Sequence, residues 1–315
     1  MNLRKFTYLL LTLNFLFYSN ARNNFYEKNR ENSQNNFSFS FTTLSVNSVY
    51  NFSFPIRREQ INPLLNNLQK ENALLRMFSD CDNKIYHKRG FYYEKTAEEI
   101  SKSINDRRNL ERIITKYFYD ELYTSFNHHN FLDDSKIWHD LLNGSGYFED
   151  SYDYLRIRNG KWIEKHRAID IFGKIGDFVY SPINGVVLDS KNDWKGRWDR
   201  KKGLIYEGGG FGILSGNGVL LFQPSDTTYF FIVHMKDVFV KPGDLVYKGK
   251  IIGSVGKTGN ASSPYTKPHI HVSVKKPGIK CGIKGALVSI NPYSNLLYAR
   301  ENLLKKEEKI YVDES

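Results

Sequence analysis

The sequence predicts an α+β protein in which a mainly helical N-terminal region precedes an all-β domain. Between residues 59 and 145, apolar residues recur at the spacing of a helical face. Beyond residue 146, short β-type runs are separated by Gly, Pro and Asn turn signals. With 315 residues, of which 40% are hydrophobic, the chain is long enough to bury a sizeable core.

The first 21 residues have the layout of a secretory signal peptide. Two basic residues precede an apolar run from Phe6 to Phe17, and small residues then lead to a cleavage site near Ala21. The run is short for a membrane span, although an uncleaved anchor is the alternative. We therefore expect an exported protein in the periplasm, cell wall or medium, with no transmembrane segment after cleavage.

Residues 22–58 form a low-complexity leader with a strand-like part. Its first half is rich in Asn and charge, whereas Phe37, Phe39 and Phe41 alternate with Ser and Thr. This period of two predicts one or two strands.

Three helices are predicted next. The first begins near Glu59 and carries its apolar face as far as Phe78. The second begins at Thr96, where the sequence TAEE offers a capping box, and runs to Leu122. A short third helix spans about residues 135–142 and stops at the sequence NGSG. This helical region is predicted to be an inhibitory prosegment, a targeting element or an oligomerisation arm.

The all-β domain is predicted over residues 146–300, followed by a charged tail over residues 301–315. Its strand signals are the runs RAIDIF, FVYSPINGVVLDS, NGVLLFQ, TYFFIVHM, KIIGSVG and HIHVSV. The stretch GDFVYSPINGVV at 176–187 is echoed by GDLVYKGKIIGSV at 243–255. This echo indicates a sheet built by duplication of one strand-turn-strand unit.

Histidines are concentrated in this β-domain. Because side chains alternate along a strand, His269 and His271 share one face, away from their apolar neighbours. Asp170, in the sequence HRAID, likewise points away from two isoleucines and lies four residues after His166. His234 is expected to end the hydrophobic strand YFFIVHM.

The set contains enough groups for a hydrolytic zinc site. One carboxylate and four imidazoles can supply three ligands, an open position for water and two histidines for proton transfer. The sequence H-E-x-x-H does not occur, which excludes a zinc protease with a glutamate base on that motif.

Residues 160–298 resemble the lysostaphin/LytM family of zinc metallopeptidases. The ordered signature is H-x-x-x-D, a histidine at a strand end, the turn GSVGKTG and H-x-H. The resemblance implies a duplicated hybrid motif fold and cleavage of peptide bonds in bacterial peptidoglycan. It also implies a Zn²⁺ site formed by His166, Asp170 and His271, with His234 and His269 as catalytic residues.

Two positions depart from the family pattern. Ala168 stands where the family commonly has glycine, and the tyrosine expected shortly before the first ligand is represented only by Tyr154. Trp194 and Trp198 lie in a long basic and Gly-rich segment, and with Tyr154 they are candidates for a substrate groove. Burial of both tryptophans in the core is the alternative.

Charge and cysteine content limit the partners. The net charge of +11 and a pI near 9.3 favour an anionic cell-envelope surface, and no nucleic-acid-binding motif accompanies them. Cys81 and Cys281 form either one disulfide or two free thiols. Two further readings stay open: a non-catalytic cell-wall-binding or regulatory module of the same fold, and an exported protease that acts on proteins.

Overall fold

The computed structural model describes residues 38–40, 49–51, 56–70, 85–86, 92–93, 97–124, 137–158, 161–280 and 282–313. The signal peptide, both cysteines and the predicted extension of the first helix to Phe78 lie outside these residues. The chain divides into two units, Met1–Phe54 and Pro55–Ser315. The first contains β1 (Ser38–Ser40) and β2 (Val49–Asn51), which pair antiparallel and confirm the strands predicted in the leader.

The second unit begins with two long helices separated by a small hairpin. The helices are α1 (Arg58–Lys70) and α2 (Ala97–Thr124), and the hairpin strands are β3 (Ile85–Tyr86) and β4 (Tyr92–Tyr93). Both helices were predicted and begin within a residue of the predicted starts. Their buried apolar side chains follow helical spacing: Ile61, Leu64, Leu65, Leu68, Leu110, Ile113, Ile114, Tyr117 and Phe118. None of the helices in the described part of the chain has the length and hydropathy of a membrane span.

The prediction of a third helix is wrong over residues 137–142. This segment is irregular and ends in a turn, because its backbone bonds to the sheet instead of to itself. The His139 amide donates to the Pro182 carbonyl at 2.9 Å, and the Tyr180 amide donates to the Leu141 carbonyl at 2.8 Å. Trp138, Leu141 and Leu142 are buried in the core of the β-sheet, whereas Ile137 is exposed. The helix-like spacing therefore reflects burial in this core.

The β-domain is a ten-stranded antiparallel sheet with two additional hairpins. The strands are β5 (Tyr147–Phe148), β6 (Leu155–Arg158), β7 (Lys161–Lys165), β8 (Ile169–Phe172), β9 (Phe178–Tyr180), β10 (Gly185–Lys191), β11 (Lys195–Asp199), β12 (Gly203–Gly208), β13 (Asn217–Gln223), β14 (Thr228–Val238), β15 (Leu245–Val246), β16 (Ile251–Val255), β17 (His269–Lys280) and β18 (Ile283–Ile290). The strand order in the sheet is β15-β10-β13-β14-β17-β8-β5, while β16 pairs with β14 and β9, and β18 pairs with β17. The additional hairpins are β6–β7 and β11–β12.

The two faces of this sheet differ in chemistry. One face is the apolar core, which includes Ile171, Ile270 and Val272. The other carries His271 at one end, and the unbroken register of β14 with β17 places Tyr229 four positions along on that same face. The Tyr229 hydroxyl donates to Glu111 of α2 at 2.7 Å. Helix α2 therefore reaches the histidine-bearing face at the far end of the strands.

A third helix, α3 (Tyr293–Asp313), follows the last strand and was not predicted. It begins inside the segment assigned to the β-domain and continues through most of the charged tail. Its first turns contribute Leu296 and Ala299 to the core of the sheet. The Arg300 guanidinium donates from Nε to the buried carboxylate of Asp140 at 2.9 Å. Together with the helices at the N-terminal side, α3 makes the protein α+β, as predicted.

Candidate metal and active site

Strands β8 and β17 bring the carboxylate and two of the imidazoles to one face. The register pairs Asp170 with His271 and Phe172 with His269. Because directly paired residues point to the same side of a sheet, these four side chains lie together, as the alternation in the sequence predicts. Ile171 and Ile270 are paired on the opposite side and are fully buried.

His166, Asp170 and His271 form the group within the described residues whose donor atoms can hold a metal ion. His166 Nε2 lies 3.2 Å from His271 Nδ1 and 3.4 Å from Asp170 Oδ1, and His271 Nδ1 lies 2.9 Å from the same oxygen. Ligands about 2.0–2.1 Å from a tetrahedral zinc ion lie about 3.3–3.4 Å from one another. The three donor atoms thus fit three corners of such a tetrahedron, in donor type and in spacing.

Hydrogen bonding and charge prepare these groups as ligands. His166 Nδ1 lies 3.1 Å from the Ser151 carbonyl, which can only accept, so that nitrogen carries the proton and Nε2 presents its lone pair. Burial alone would raise the pKa of Asp170, but its side-chain contacts with the His166 and His271 rings outweigh burial and hold that pKa well below its usual range. The carboxylate is therefore ionised, as a metal ligand must be.

His234 is placed by a β-bulge and does not end its strand. Strand β14 continues to Val238, but the pairing with β13 skips from Val233 to Met235, leaving His234 as the extra residue. Its φ is +67°, a left-handed conformation that is rare for any residue other than glycine. Bulges of this kind redirect a side chain beside a functional site, with backbone strain of about 1–3 kcal/mol. The predicted strand end is wrong in this detail.

His234 and His269 are both tethered through Nδ1. His234 Nδ1 donates to the Thr258 carbonyl at 3.0 Å, and His269 Nδ1 donates to the Lys267 carbonyl at 2.8 Å. The rings are 4.9 Å apart, and His269 Nε2 lies 3.9 Å from Asp170 Oδ1. Burial, reinforced by the neighbouring imidazoles His271 and His269, lowers the pKa of His234 to about 3. The His234 ring is therefore neutral, and its Nε2 carries a lone pair.

The turn at residues 256–259 explains why the sequence GKTG accompanies the histidines. Thr258 Oγ1 donates to the Met235 carbonyl and accepts from the Asn217 amide, both at 2.9 Å, so the turn is fastened to the bulge. Gly259 has φ +67°, and a Cβ there would lie 2.2 Å from the Leu214 carbonyl oxygen. Sequence reasoning identified this turn as part of the signature but missed Thr258 as the residue that orients His234. The roles of the Ser151 and Lys267 carbonyls as hydrogen-bond acceptors could not be predicted, because every residue has a main-chain carbonyl.

The predicted groove residues lie in two hairpins. Trp194, at the start of the β11–β12 hairpin, is half-buried, and its amide donates to Asn217 Oδ1 at 2.9 Å. Strand β11 contacts the 3₁₀ turn Gly259–Ser262, which directly follows Thr258. Trp198 is half-buried further along the same strand. Tyr154 is 62% exposed, and its carbonyl accepts the His166 amide at 2.8 Å. The three groove assignments stay predictions.

Comparison with known proteins gives one family. The model of peptidase family M23 matches residues 164–283. Lysostaphin from Staphylococcus simulans is 20% identical, with 53% of this chain and 56% of that chain covered and a TM-score of 0.36. Its catalytic domain is 21% identical, with coverage of 50% and 98% and a TM-score of 0.33. A zinc-containing peptidase from Vibrio cholerae is 20% identical, with coverage of 44% and 36% and a TM-score of 0.32.

No curated protein matches the chain. The chain spans just over half the length of full-length lysostaphin. The matched segment contains the paired ligand strands, the bulge and the turn that holds it. Over residues 164–283, the chain is therefore similar to peptidase family M23.

Proposed function

We propose that this protein is an exported zinc metalloendopeptidase that hydrolyses peptide cross-links in bacterial peptidoglycan. The observation that carries the proposal is the convergence of His166 Nε2, Asp170 Oδ1 and His271 Nδ1 at separations of 2.9–3.4 Å. Two histidines and one carboxylate leave a fourth tetrahedral position open, which distinguishes catalytic from purely structural zinc sites.

A zinc ion held by these residues would supply Lewis-acid chemistry, making a water more acidic and polarising the scissile carbonyl. We assign the proton transfers and the stabilisation of the oxyanion to His269 and His234. His269 Nε2 faces the ligand Asp170, so it is placed to take the proton of the attacking water. The His234 ring lies 4.9 Å from the His269 ring, where its Nε2, once it has accepted a proton, can donate to the developing oxyanion or to the leaving amine.

The tethers set the order of the proton transfers. Since both Nδ1 atoms already donate to main-chain carbonyls, each neutral Nε2 accepts a proton before it can donate one. The imidazole that takes the water proton then becomes the acid that protonates the leaving amine. The two roles of His234 and His269 can be exchanged within this scheme.

Three observations support a substrate in the bacterial envelope. The family resemblance implies peptidoglycan peptides, the N-terminal residues have the pattern of a signal peptide, and the net charge of +11 favours an anionic polymer. The half-buried Trp194 beside the turn that holds His234 is proposed as one wall of the substrate groove.

The test is digestion of purified peptidoglycan by the chain without residues 1–21, together with its zinc content. We expect about one zinc per chain and release of new amino termini, both lost in Asp170→Asn. Equal zinc content without cleavage would favour a non-catalytic wall-binding module. Efficient cleavage of unrelated proteins would favour a general exported protease.

A further inference from the structure

We propose that Tyr147, Phe172 and Lys267 form a subsite for a substrate residue that has an aliphatic stem ending in a carboxylate. We call these three side chains the aromatic shelf. The inference rests on the proposed peptidase function and names a specificity element of that same site.

The shelf continues the histidine-bearing face to the edge of the sheet. Phe172 is the cross-strand partner of His269, and the two rings lie 5.5 Å apart. Tyr147 is the partner of Phe172 on the terminal strand β5, and these rings stack at 4.9 Å with planes 17° apart. A substrate that crosses the pocket toward this edge therefore meets two aromatic rings in succession.

Local contacts fix the shelf in place. Gly146 has φ +69°, and a Cβ there would lie 2.1 Å from the Phe172 carbonyl oxygen, so glycine is what lets β5 approach β8. Arg300 donates to the carbonyls of Ser145 at 3.1 Å and Gly146 at 3.3 Å. Its guanidinium also lies 4.5 Å from the Phe148 ring centroid. Because these contacts already hold the short edge strand in place, a substrate does not have to order it on binding.

The chemistry of the shelf selects its ligand. Lys267 Nζ lies 3.1 Å from the Tyr147 hydroxyl but 5.7 Å from the ring centroid. The ammonium therefore lies at the hydroxyl edge and does not cover the ring face opposite Phe172. Tyr147 is 44% exposed and Lys267 is exposed. The ring offers an apolar surface for methylene groups, and the ammonium offers charged hydrogen-bond donors at its rim. A neutral sugar or a glycine-only peptide would leave that charge without a partner.

The experiment compares native peptidoglycan with peptidoglycan whose free carboxyl groups have been converted to amides by carbodiimide and ammonia. We expect the wild-type protein to cleave the native polymer about fivefold faster at limiting substrate, the size of one exposed ion pair. Lys267→Met should lose this preference, while Lys241→Met, which removes an exposed charge elsewhere, should keep it. Tyr147→Ala should raise KM with little change in kcat.

Equal cleavage of both polymers by the wild type, or a preference that survives in Lys267→Met, would overturn the proposal. Cleavage of neither polymer would count against the peptidase function alone. In that case, calorimetric titration with soluble muropeptides, native and amidated, decides the subsite: tighter binding of the native fragments that depends on Lys267 supports it, and equal binding refutes it.

Discussion

Replacing Arg107 with leucine should lower the free energy of unfolding by about 3–5 kcal/mol, the range observed when one partner of a buried ion pair is removed. Arg107 is only 1% exposed. Its guanidinium donates to Glu111 on its own helix and to the Gly285 carbonyl on β18. Glu111 also accepts the hydroxyl of Tyr229 on β14. The substitution leaves a carboxylate and a carbonyl short of a partner where α2 meets the sheet.

Urea denaturation of the chain without residues 1–21, followed by far-ultraviolet circular dichroism, measures the effect. The matched control is Arg112→Leu, the same change at an exposed position of the same helix, which should cost less than about 0.5 kcal/mol. For a domain of this size the Arg107 variant should melt about 6–20 °C lower. If both variants lost the same small amount, α2 would not be a structural layer of the β-domain, and its interpretation as a removable prosegment would regain support.

Three further predictions follow from other contacts. Burial raises the pKa of Tyr229 above its ordinary value of 10.0, so the folded state keeps a proton that the unfolded chain releases. The contribution of Tyr229 to the free energy of unfolding should therefore be fully present below pH 10 and fall above it by up to ~1.4 kcal/mol per pH unit. In urea titrations at a series of pH values, Tyr229→Phe should reduce this fall. Arg300→Ala should cost about 3 kcal/mol in the same titrations, because Asp140, 1% exposed, loses its charge partner; a loss below 1 kcal/mol would contradict this. Gly259→Ala should keep zinc but reduce turnover at least about tenfold, since the displaced turn no longer orients His234; unchanged turnover would refute that positioning.

The sequence patterns correctly predicted α1, α2 and the strands β8, β9, β10, β13, β14, β16 and β17. They did not predict the strands β5, β6, β7, β11, β12 and β18. The faces of α1 and α2 could be predicted because each buries one stripe of apolar side chains. The strands could be predicted because their apolar residues either alternate, as in β8, or form a short continuous run, as in β13. The prediction of a helix at residues 137–142 was wrong, since Trp138, Leu141 and Leu142 fill the core of the sheet from an irregular segment. Helix α3 was missed because few of the side chains described at residues 293–305 are buried and the helix sequence carries many charges. Its first turns are held by contacts such as that of Arg300 with Asp140.

The candidate site could be predicted from the sequence only as a set of residue types. Alternation along β17 correctly placed His269 and His271 on one face. The positive φ of His234 depends on a register shift against β13, which involves a strand far away in sequence. The stack of Tyr147 on Phe172 likewise needs the pairing of β5 with β8. Contacts between distant strands are set by the tertiary fold and are not encoded in any local pattern.

The most direct test of the proposed function is the zinc content of Asp170→Ala and His234→Ala, measured by plasma mass spectrometry alongside peptidoglycan cleavage. The account predicts that Asp170→Ala loses both zinc and activity, because it removes one of three converging donors. His234→Ala should keep about one zinc per chain and lose turnover by about a hundredfold or more. Zinc lost from His234→Ala but retained by Asp170→Ala would contradict the assignment of His166, Asp170 and His271 as the metal site.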